Sequence, residues 1–193
     1  MNQNYYDKCA GEYFNVTAAI DPTAFLDPIT RFFRAGAQVL DVGCGSGRDL
    51  LWLKNKGFTA TGFELSQNLA TLARQHSGCP VIVGNFFHYD FSQIRVDVIL
   101  LTGALVHVPR SQLPEVIERI FQALRPEGLL YVSLKEGAGE KQAEDGRTFV
   151  LWNDDDLRSI FAALHLKVIY FSRKTSRLNP DDTWLGYLLR RHK

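Results

Sequence analysis

Short apolar runs recur along the chain, and most of them share one pattern. Five runs are β-branched or aliphatic and almost continuously apolar, as strands covered on both faces of a parallel sheet must be. These five runs span residues 38–42, 59–63, 81–83, 96–101 and 129–134. Each of them is therefore predicted to be a buried strand.

Segments with helical periodicity lie among these strands, and the clearest covers residues 111–125. Its apolar side chains fall on one continuous stripe, as on a helix that packs against a sheet. Ser111 can cap its start, while Pro126 and Gly128 can stop it. Further helices are predicted over 23–34, 49–56 and 153–164, after an amphipathic extension over 5–15. Gly57 is expected to cap the second of these helices in a left-handed conformation and Asn153 to cap the start of the third.

Strands that alternate with helices predict right-handed βαβ units and an open, doubly wound α/β sheet. The end of the chain departs from this alternation. The strand-like runs 166–172 and 183–190 have only a polar loop between them, which includes Asn179-Pro180-Asp181-Asp182. Because no helix fits in that loop, the two runs are expected to pair as an antiparallel hairpin. The sequence therefore predicts one domain over 1–193 with seven strands.

The composition agrees with a single packed domain and excludes several classes of protein. The chain has 193 residues, of which 46% are apolar and 22% charged, and its 22 Lys and Arg balance 21 Asp and Glu. No field of one sign is available to attract nucleic acid or a membrane surface. The longest apolar stretch, 96–109, is too short to span a bilayer, and the N-terminus lacks a signal-peptide pattern. We therefore expect no membrane or nucleic-acid partner.

Three widely spaced cysteines, Cys9, Cys44 and Cys79, form neither a CxxC motif nor a cluster with histidine. This spacing disfavours a zinc site and a disulfide framework, and it suits the reducing cytosol. We expect a cytoplasmic protein without a bound metal.

The segment 39–49 reads VLDVGCGSGRD, and it follows a predicted strand and opens a helix. Gly43, Gly45 and Gly47 let the backbone turn sharply and approach a ligand, while the first N–H groups of the helix face outward. The dinucleotide fingerprint G-x-G-x-x-G would place its third glycine at position 48. This chain has Arg48 there, a cation suited to a carboxylate. Glu64 ends the second strand, where an acid can bind both hydroxyls of a ribose.

Together with TGFELS (61–66), VIVGNFF (81–87), VDVILLTGALVHVP (96–109) and ALRPEGLLYVS (123–133), this loop resembles the class I S-adenosylmethionine-dependent methyltransferases. Within that class, CGSGRDLLWLKNKG is most similar to small bacterial enzymes of the tellurite-resistance type. The resemblance implies a Rossmann-like core over 36–193, after a helical extension or lid over 1–35. It implies strand order 3-2-1-4-5-7-6 with the last strand antiparallel, in agreement with the predicted hairpin.

The resemblance further implies S-adenosylmethionine as cofactor, S-adenosylhomocysteine as product and direct in-line methyl transfer to a small molecule. The implied cofactor-binding residues are Gly43, Cys44, Gly45, Arg48, Glu64, Leu65, Asn85, Phe86, Thr102 and Gly103. In this assignment Arg48 reaches the methionine carboxylate, and Glu64 takes the ribose hydroxyls. Asn85 stands where the family commonly has an acid that accepts from the adenine amino group. Its amide oxygen can accept in the same way, or the residue can simply cap a turn.

Two candidate features near the acceptor site have both a functional and a purely structural interpretation. His107 follows the fourth strand, where it can accept a proton from a substrate, or it can hydrogen-bond the loop and fix the following turn. Tyr5 and Tyr13 belong to an aromatic cluster that can form a lid over the cofactor or a packing staple for the N-terminal helix. The segment 135–152, rich in glycine and charge, is predicted to be a mobile loop at the acceptor site.

Residues 102–105 read TGAL, not the Asn/Asp-Pro-Pro-aromatic motif of enzymes that methylate amino groups of nucleic acids. A small-molecule acceptor is therefore expected. Two other functions stay open. An NAD(P)-dependent oxidoreductase is disfavoured by Arg48 and by the terminal hairpin, whereas a non-catalytic adenosylmethionine-binding sensor or partner subunit would share the same loop. The sequence leaves a monomer and a homodimer equally open.

Overall fold

The computed structural model describes residues 3–191, which fold around a seven-stranded mixed sheet. The strands are β1 Gln38–Val42, β2 Thr59–Glu64, β3 Val81–Val83, β4 Val96–Thr102, β5 Leu124–Lys135, β6 Glu140–Gln142, β7 Thr148–Val150, β8 Leu166–Thr175 and β9 Thr183–Arg191. The helices are α1 Gln3–Lys8, α2 Ala10–Thr17, α3 Thr23–Thr30, α4 Arg48–Asn55, α5 Gln67–Ser77, α6 Leu113–Phe121 and α7 Asp154–Ala163. None of the helices within 3–191 combines the length and apolar character needed to cross a bilayer.

The order of the large sheet is β3-β2-β1-β4-β5-β9-β8. Strands β1 to β5 pair in parallel, and β9 pairs antiparallel to both β5 and β8. Because β8 and β9 are the sixth and seventh strands of this sheet, the expected order 3-2-1-4-5-7-6 is confirmed. The remaining two strands, β6 and β7, form a separate antiparallel hairpin.

Apolar side chains on the two faces of the sheet form two separate cores. Leu40 and Val42 of β1 point into the core that also contains α6 and α7, whereas Val39 points into the core beneath α3, α4 and α5. This alternation is the period of two expected for a strand buried on both faces. Of the stripe predicted over 111–125, Leu113, Val116, Ile117 and Ile120 are buried on α6, and Phe121 at its end is half-buried.

The bounds of two predicted helices are wrong. The stripe over 111–125 ends as a helix at Phe121, because Leu124 already pairs with Val96 in the sheet and begins β5. Ser111 does not cap it, since this residue lies in a short 3-10 turn and Gln112 precedes the first helical residue. The helix predicted over 23–34 ends at Thr30, after which the chain turns at Gly36 to enter β1. The caps at Gly57 and Asn153 are confirmed.

The segment 135–152, predicted to be a mobile loop, contains the hydrogen-bonded hairpin of β6 and β7. Val150 N donates to Val106 O at 2.8 Å, and Trp152 N donates to Lys135 O at 2.9 Å, so the hairpin is attached to the body of the domain. The Trp152 side chain is buried in the core, which the charge-rich sequence around it did not indicate.

Candidate functional site

The glycine loop joins β1 to α4 and takes a shape that side chains would obstruct. Gly43, Gly45 and Gly47 all have positive φ. A Cβ atom on Gly43 would lie 2.7 Å from Ala104 Cβ, and one on Gly47 would lie 2.9 Å from Ala73 O. The first contact brings the loop against the end of β4, and the second packs α4 on α5. The loop therefore needs glycine for tight packing as well as for its turn.

Acidic groups lie beneath this loop beside Arg48. Asp41 is buried within β1, and burial together with the nearby charge of Asp49 raises its pKa well above the usual value. Arg48 Nε donates to Asp49 Oδ1 at 2.6 Å, and its guanidinium lies 5.3 Å from the centre of the Phe25 ring. Neither Asp41 nor Asp49 was among the predicted site residues. The signal was an acid inside an otherwise apolar strand, which is costly unless it serves a site.

Glu64 lies directly behind the loop and is almost fully buried. Its Oε2 accepts from Gly45 N and its Oε1 accepts from Ser66 N, both at 2.9 Å. Burial raises the pKa of Glu64, while these backbone hydrogen bonds favour the ionised form. The carboxylate thus ties the end of β2 to the loop after β1.

The predicted cofactor-binding residues fall into two groups, and only one of these groups lines a cavity. A cavity of about 460 Å³ is lined by Gly43, Cys44, Gly45, Arg48, Thr102, Gly103, Tyr6 and Tyr13, among others. Cys44 is a buried, free thiol whose pKa burial raises. Glu64, Leu65, Asn85 and Phe86 do not line this cavity. Asn85 Oδ1 accepts from Phe87 N at 2.9 Å, which is a turn-capping contact, and the Phe86 ring packs on Phe87.

Helices α1 and α2, which contain the two lid candidates, cover the part of the site nearest Glu64. Tyr13 lies over the glycine loop, since a Cβ atom on Gly45 would be 3.2 Å from Tyr13 Cε1. Ser66 Oγ donates to Asp7 Oδ1 at 2.5 Å, which docks α1 on the start of α5. Tyr5 lies farther out, where the Arg147 guanidinium is 4.5 Å from the centre of its ring. Both lid candidates thus belong to helices that cover the loop, and Tyr13 alone of the two contacts it.

His107 lies between α1 and the β6–β7 hairpin and is not among the residues that line the cavity. Its Nδ1 donates to Thr148 O at 2.6 Å, so its neutral Nε2 accepts from the Tyr6 hydroxyl at 2.9 Å. Burial lowers the pKa of His107 below 6.5, and the charges of Arg147 and Lys135 act in the same direction. The histidine therefore contacts the cavity through Tyr6.

The end of β4 forms the floor of the cavity. Gly103 N donates to Ser133 Oγ at 3.0 Å, and a Cβ atom on Gly103 would lie 3.1 Å from the Trp184 ring. Thr102 Oγ1 is buried and has no hydrogen-bond partner within residues 3–191. A buried hydroxyl without a partner is costly, so this atom is available to a ligand.

Part of this chain is similar to known protein sequences. A family model described as a methyltransferase domain matches residues 39–128. The carboxy-S-adenosyl-L-methionine synthase of Chromohalobacter salexigens is 34% identical over 116 residues, which are 54% of this chain and 42% of that protein. The chain thus spans less than half the length of this relative.

Solved structures share the fold over nearly the whole chain. The 1,6-didemethyltoxoflavin-N1-methyltransferase of Burkholderia thailandensis has a TM-score of 0.78 and 20% identity, covering 99% of this chain and 87% of that one. The magnesium protoporphyrin IX methyltransferase of Synechocystis PCC 6803, with bound SAH, has a TM-score of 0.76 and 13% identity, covering 98% of both chains. At these identities the likeness establishes the fold.

Proposed function

We propose that this chain is a class I S-adenosylmethionine-dependent methyltransferase, and that it transfers a methyl group from S-adenosylmethionine to a small-molecule acceptor. The observation that carries the proposal is the cavity in which the glycine loop, Arg48 and the end of β4 meet. Ligands of open α/β sheets bind at this carboxyl edge of the strands, where the strand order reverses between β1 and β4.

The cavity fits the methionine part of the cofactor. The glycine loop offers backbone without side chains, Arg48 offers a cation for a carboxylate, and Thr102 Oγ1 offers a buried hydroxyl that lacks a partner. We assign Gly43, Cys44 and Gly45 to the same part of the site. When bound, the cofactor supplies a methyl group on a sulfonium, which is already activated for displacement.

We assign the ribose to Glu64 and the adenine to the neighbourhood of Leu65, Asn85 and Phe86. Each carboxylate oxygen of Glu64 accepts one backbone hydrogen bond and has a further lone pair for a ribose hydroxyl. Because the lid helices cover this carboxylate, we infer that α1 and α2 move aside when the cofactor enters and close again over it.

The chain acts mainly by positioning its two substrates and excluding water. Holding an acceptor in line with a reactive group can remove ~7–11 kcal/mol from a barrier. Tyr6 and Tyr13 close one side of the cavity, while Thr102 and Gly103 form its floor. A hydroxyl acceptor must also lose a proton, and we assign its final base to His107. The Tyr6 hydroxyl takes the acceptor's proton as it passes its own proton to His107 Nε2. The three free thiols suit a cytoplasmic location.

The test is calorimetric titration of the full chain with S-adenosylmethionine, S-adenosylhomocysteine and NADH. We expect the two adenosyl ligands to bind and NADH not to bind, because Arg48 replaces the third glycine of the dinucleotide fingerprint. Binding of NADH without binding of S-adenosylmethionine would overturn the proposal in favour of an oxidoreductase. Binding of S-adenosylmethionine with no transfer to any member of a small-molecule acceptor collection, followed by mass spectrometry, would favour the sensor or partner subunit.

A further inference from the structure

One wall of the cavity is formed by β5, β9 and the β6–β7 hairpin, and it carries a buried cation. Lys135, at the end of β5, is opposite Trp184 of β9 in the sheet register. Its side chain is only 11% exposed, and its Nζ donates to Asp182 Oδ2 at 2.5 Å. The same Nζ lies 4.1 Å from the centre of the Phe149 ring. A lysine ammonium is rarely buried to this extent without a functional reason.

A second lysine shares the same carboxylate. Lys141 of β6 donates through Nζ to Asp182 Oδ1 at 3.2 Å and is half exposed. Two ammonium groups therefore face one carboxylate, and we call Lys135 and Lys141 the lysine pair. Each ammonium has three donors, and within residues 3–191 each donates only to Asp182. The pair retains one net positive charge and several donors without a protein acceptor.

The rest of the cavity does not neutralise this charge, because the cationic side chains there outnumber the carboxyl groups of Asp41 and Asp49. Arg48 is paired with Asp49, so it contributes no excess. Lys174 and Arg177 line the cavity too, and they donate to the backbone carbonyls of Ala24 and Asp21 rather than to carboxylate groups. A sulfonium donor in the same cavity would add further positive charge. An anionic group on the second substrate would offset this accumulation of charge.

We propose that the methyl acceptor carries an oxyanion group, a carboxylate or a phosphate, that binds the lysine pair. This inference rests on the proposed methyl transfer and adds the chemical class of the acceptor. Trp184 extends from the lysine pair to Gly103 at the floor of the cavity. A flat acceptor that lies along Trp184 would thus place its anion at Lys135 and Lys141 and its nucleophile near the end of β4.

The experiment is a fluorine NMR titration of the full chain with three matched probes: 4-fluorobenzoate, 4-fluorophenyl phosphate and 4-fluorobenzamide. Each titration is done with and without S-adenosylhomocysteine. We expect at least one oxyanion probe to bind at least about tenfold more tightly than the neutral amide, since charge-assisted hydrogen bonds are the stronger kind. The carboxylate and phosphate arms distinguish the two anions.

The variant Lys141→Gln tests the lysine pair without disturbing a buried residue. We expect it to weaken binding of the preferred oxyanion probe about five- to tenfold, with no change for the amide or for S-adenosylhomocysteine. Lys167→Gln is the matched control, because Lys167 is an exposed lysine at the opposite end of β8 from Lys174.

Three results would overturn the inference. These are oxyanion probes that bind no better than the amide, a Lys141→Gln variant that behaves like the control, and loss of S-adenosylhomocysteine affinity in Lys141→Gln. The last result would assign the lysine pair to the cofactor carboxylate. If the oxyanion probes bind while S-adenosylhomocysteine does not, the anion site stands and the proposed methyl transfer fails.

Discussion

The hydrogen bond between the Tyr6 hydroxyl and His107 Nε2 is the contact whose removal tests the closed lid most directly. The variant Tyr6→Phe keeps the ring and its edge-to-face contact with Tyr13, whose ring centre is 5.2 Å away. It removes the 2.9 Å bond to His107 and the weaker 3.3 Å bond from Arg147. A neutral hydrogen bond contributes ~0.5–1.5 kcal/mol, and an acceptor left buried adds to the loss. We expect the closed lid to lose ~1–2 kcal/mol, which is a factor of about 5–30 in the opening equilibrium.

The assay is amide hydrogen exchange of the full chain, followed by mass spectrometry. Exchange in α2, Ala10–Thr17, should become about 5–30 times faster in Tyr6→Phe, because these amides exchange when the lid opens. Exchange in β1 and β4 should stay unchanged. Tyr89→Phe is the matched control, since the Tyr89 ring packs on Phe63 and Phe91 away from the lid. If α2 exchanges at the same rate in both variants, the Tyr6–His107 bond does not hold the lid.

The pH dependence provides a second measurement on the same contact. Burial lowers the pKa of His107, so the closed state favours the neutral imidazole. The stabilisation is therefore fully present above pH ~6.5, the reference histidine value, and is lost as the pH falls through the lower pKa of the closed state. After correction for intrinsic exchange, opening of α2 should increase as the pH falls below 6.5. His107→Gln should abolish this dependence.

Two further predictions concern the acids around the glycine loop. Glu64→Gln should lower the free energy of unfolding by ~1.5–3 kcal/mol in urea titrations and should weaken the binding of S-adenosylhomocysteine. The reason is that an amide cannot accept from both Gly45 N and Ser66 N while presenting two oxygens to a ribose. Unchanged stability and affinity would contradict this role. The raised pKa of Asp41 makes the wild type lose stability as the pH rises from ~3.9, the reference value, through that pKa. Asp41→Asn should therefore leave the free energy of unfolding unchanged at pH ~4 and raise it at pH 8. Parallel stability curves of the two proteins across this range would show that Asp41 is not responsible.

The strands and their order were predictable because each signal is local. Every strand of the large sheet begins within one residue of its predicted start except β5, whose first residues 124–128 contain proline and glycine. The pairing of Leu124 with Val96 that starts β5 early is a tertiary contact, and no local pattern reveals it. The hairpin within 135–152 was missed although the pairing of β6 with β7 is local, because each strand has only three residues. The hydrogen bonds that attach it to the domain go to Val106 and Lys135.

The candidate site was predictable where glycine spacing determines it and was not predictable where side chains from remote segments meet. The loop at Gly43 and Gly45 and the floor at Thr102 follow from strand ends. The lysine pair joins Asp182, 47 residues after Lys135, and such a contact exists only after β9 has paired with β5. His107 follows β4 but is not among the residues that line the cavity, and its partner Tyr6 lies 101 residues earlier in the chain.

The place of β9 in the sheet also affects the order in which the protein can be completed. β9 follows β8 along the chain but lies between β5 and β8, so β8 cannot join the sheet before β9 is present. During synthesis the first five strands are able to assemble early, whereas the final pair must wait, with an open edge on β5 in the meantime. Asp182 and Trp184 come with this late strand, so a partly synthesised chain can hold the glycine loop and still lack one wall of the cavity. The strand that completes the sheet thus also completes the wall of the cavity.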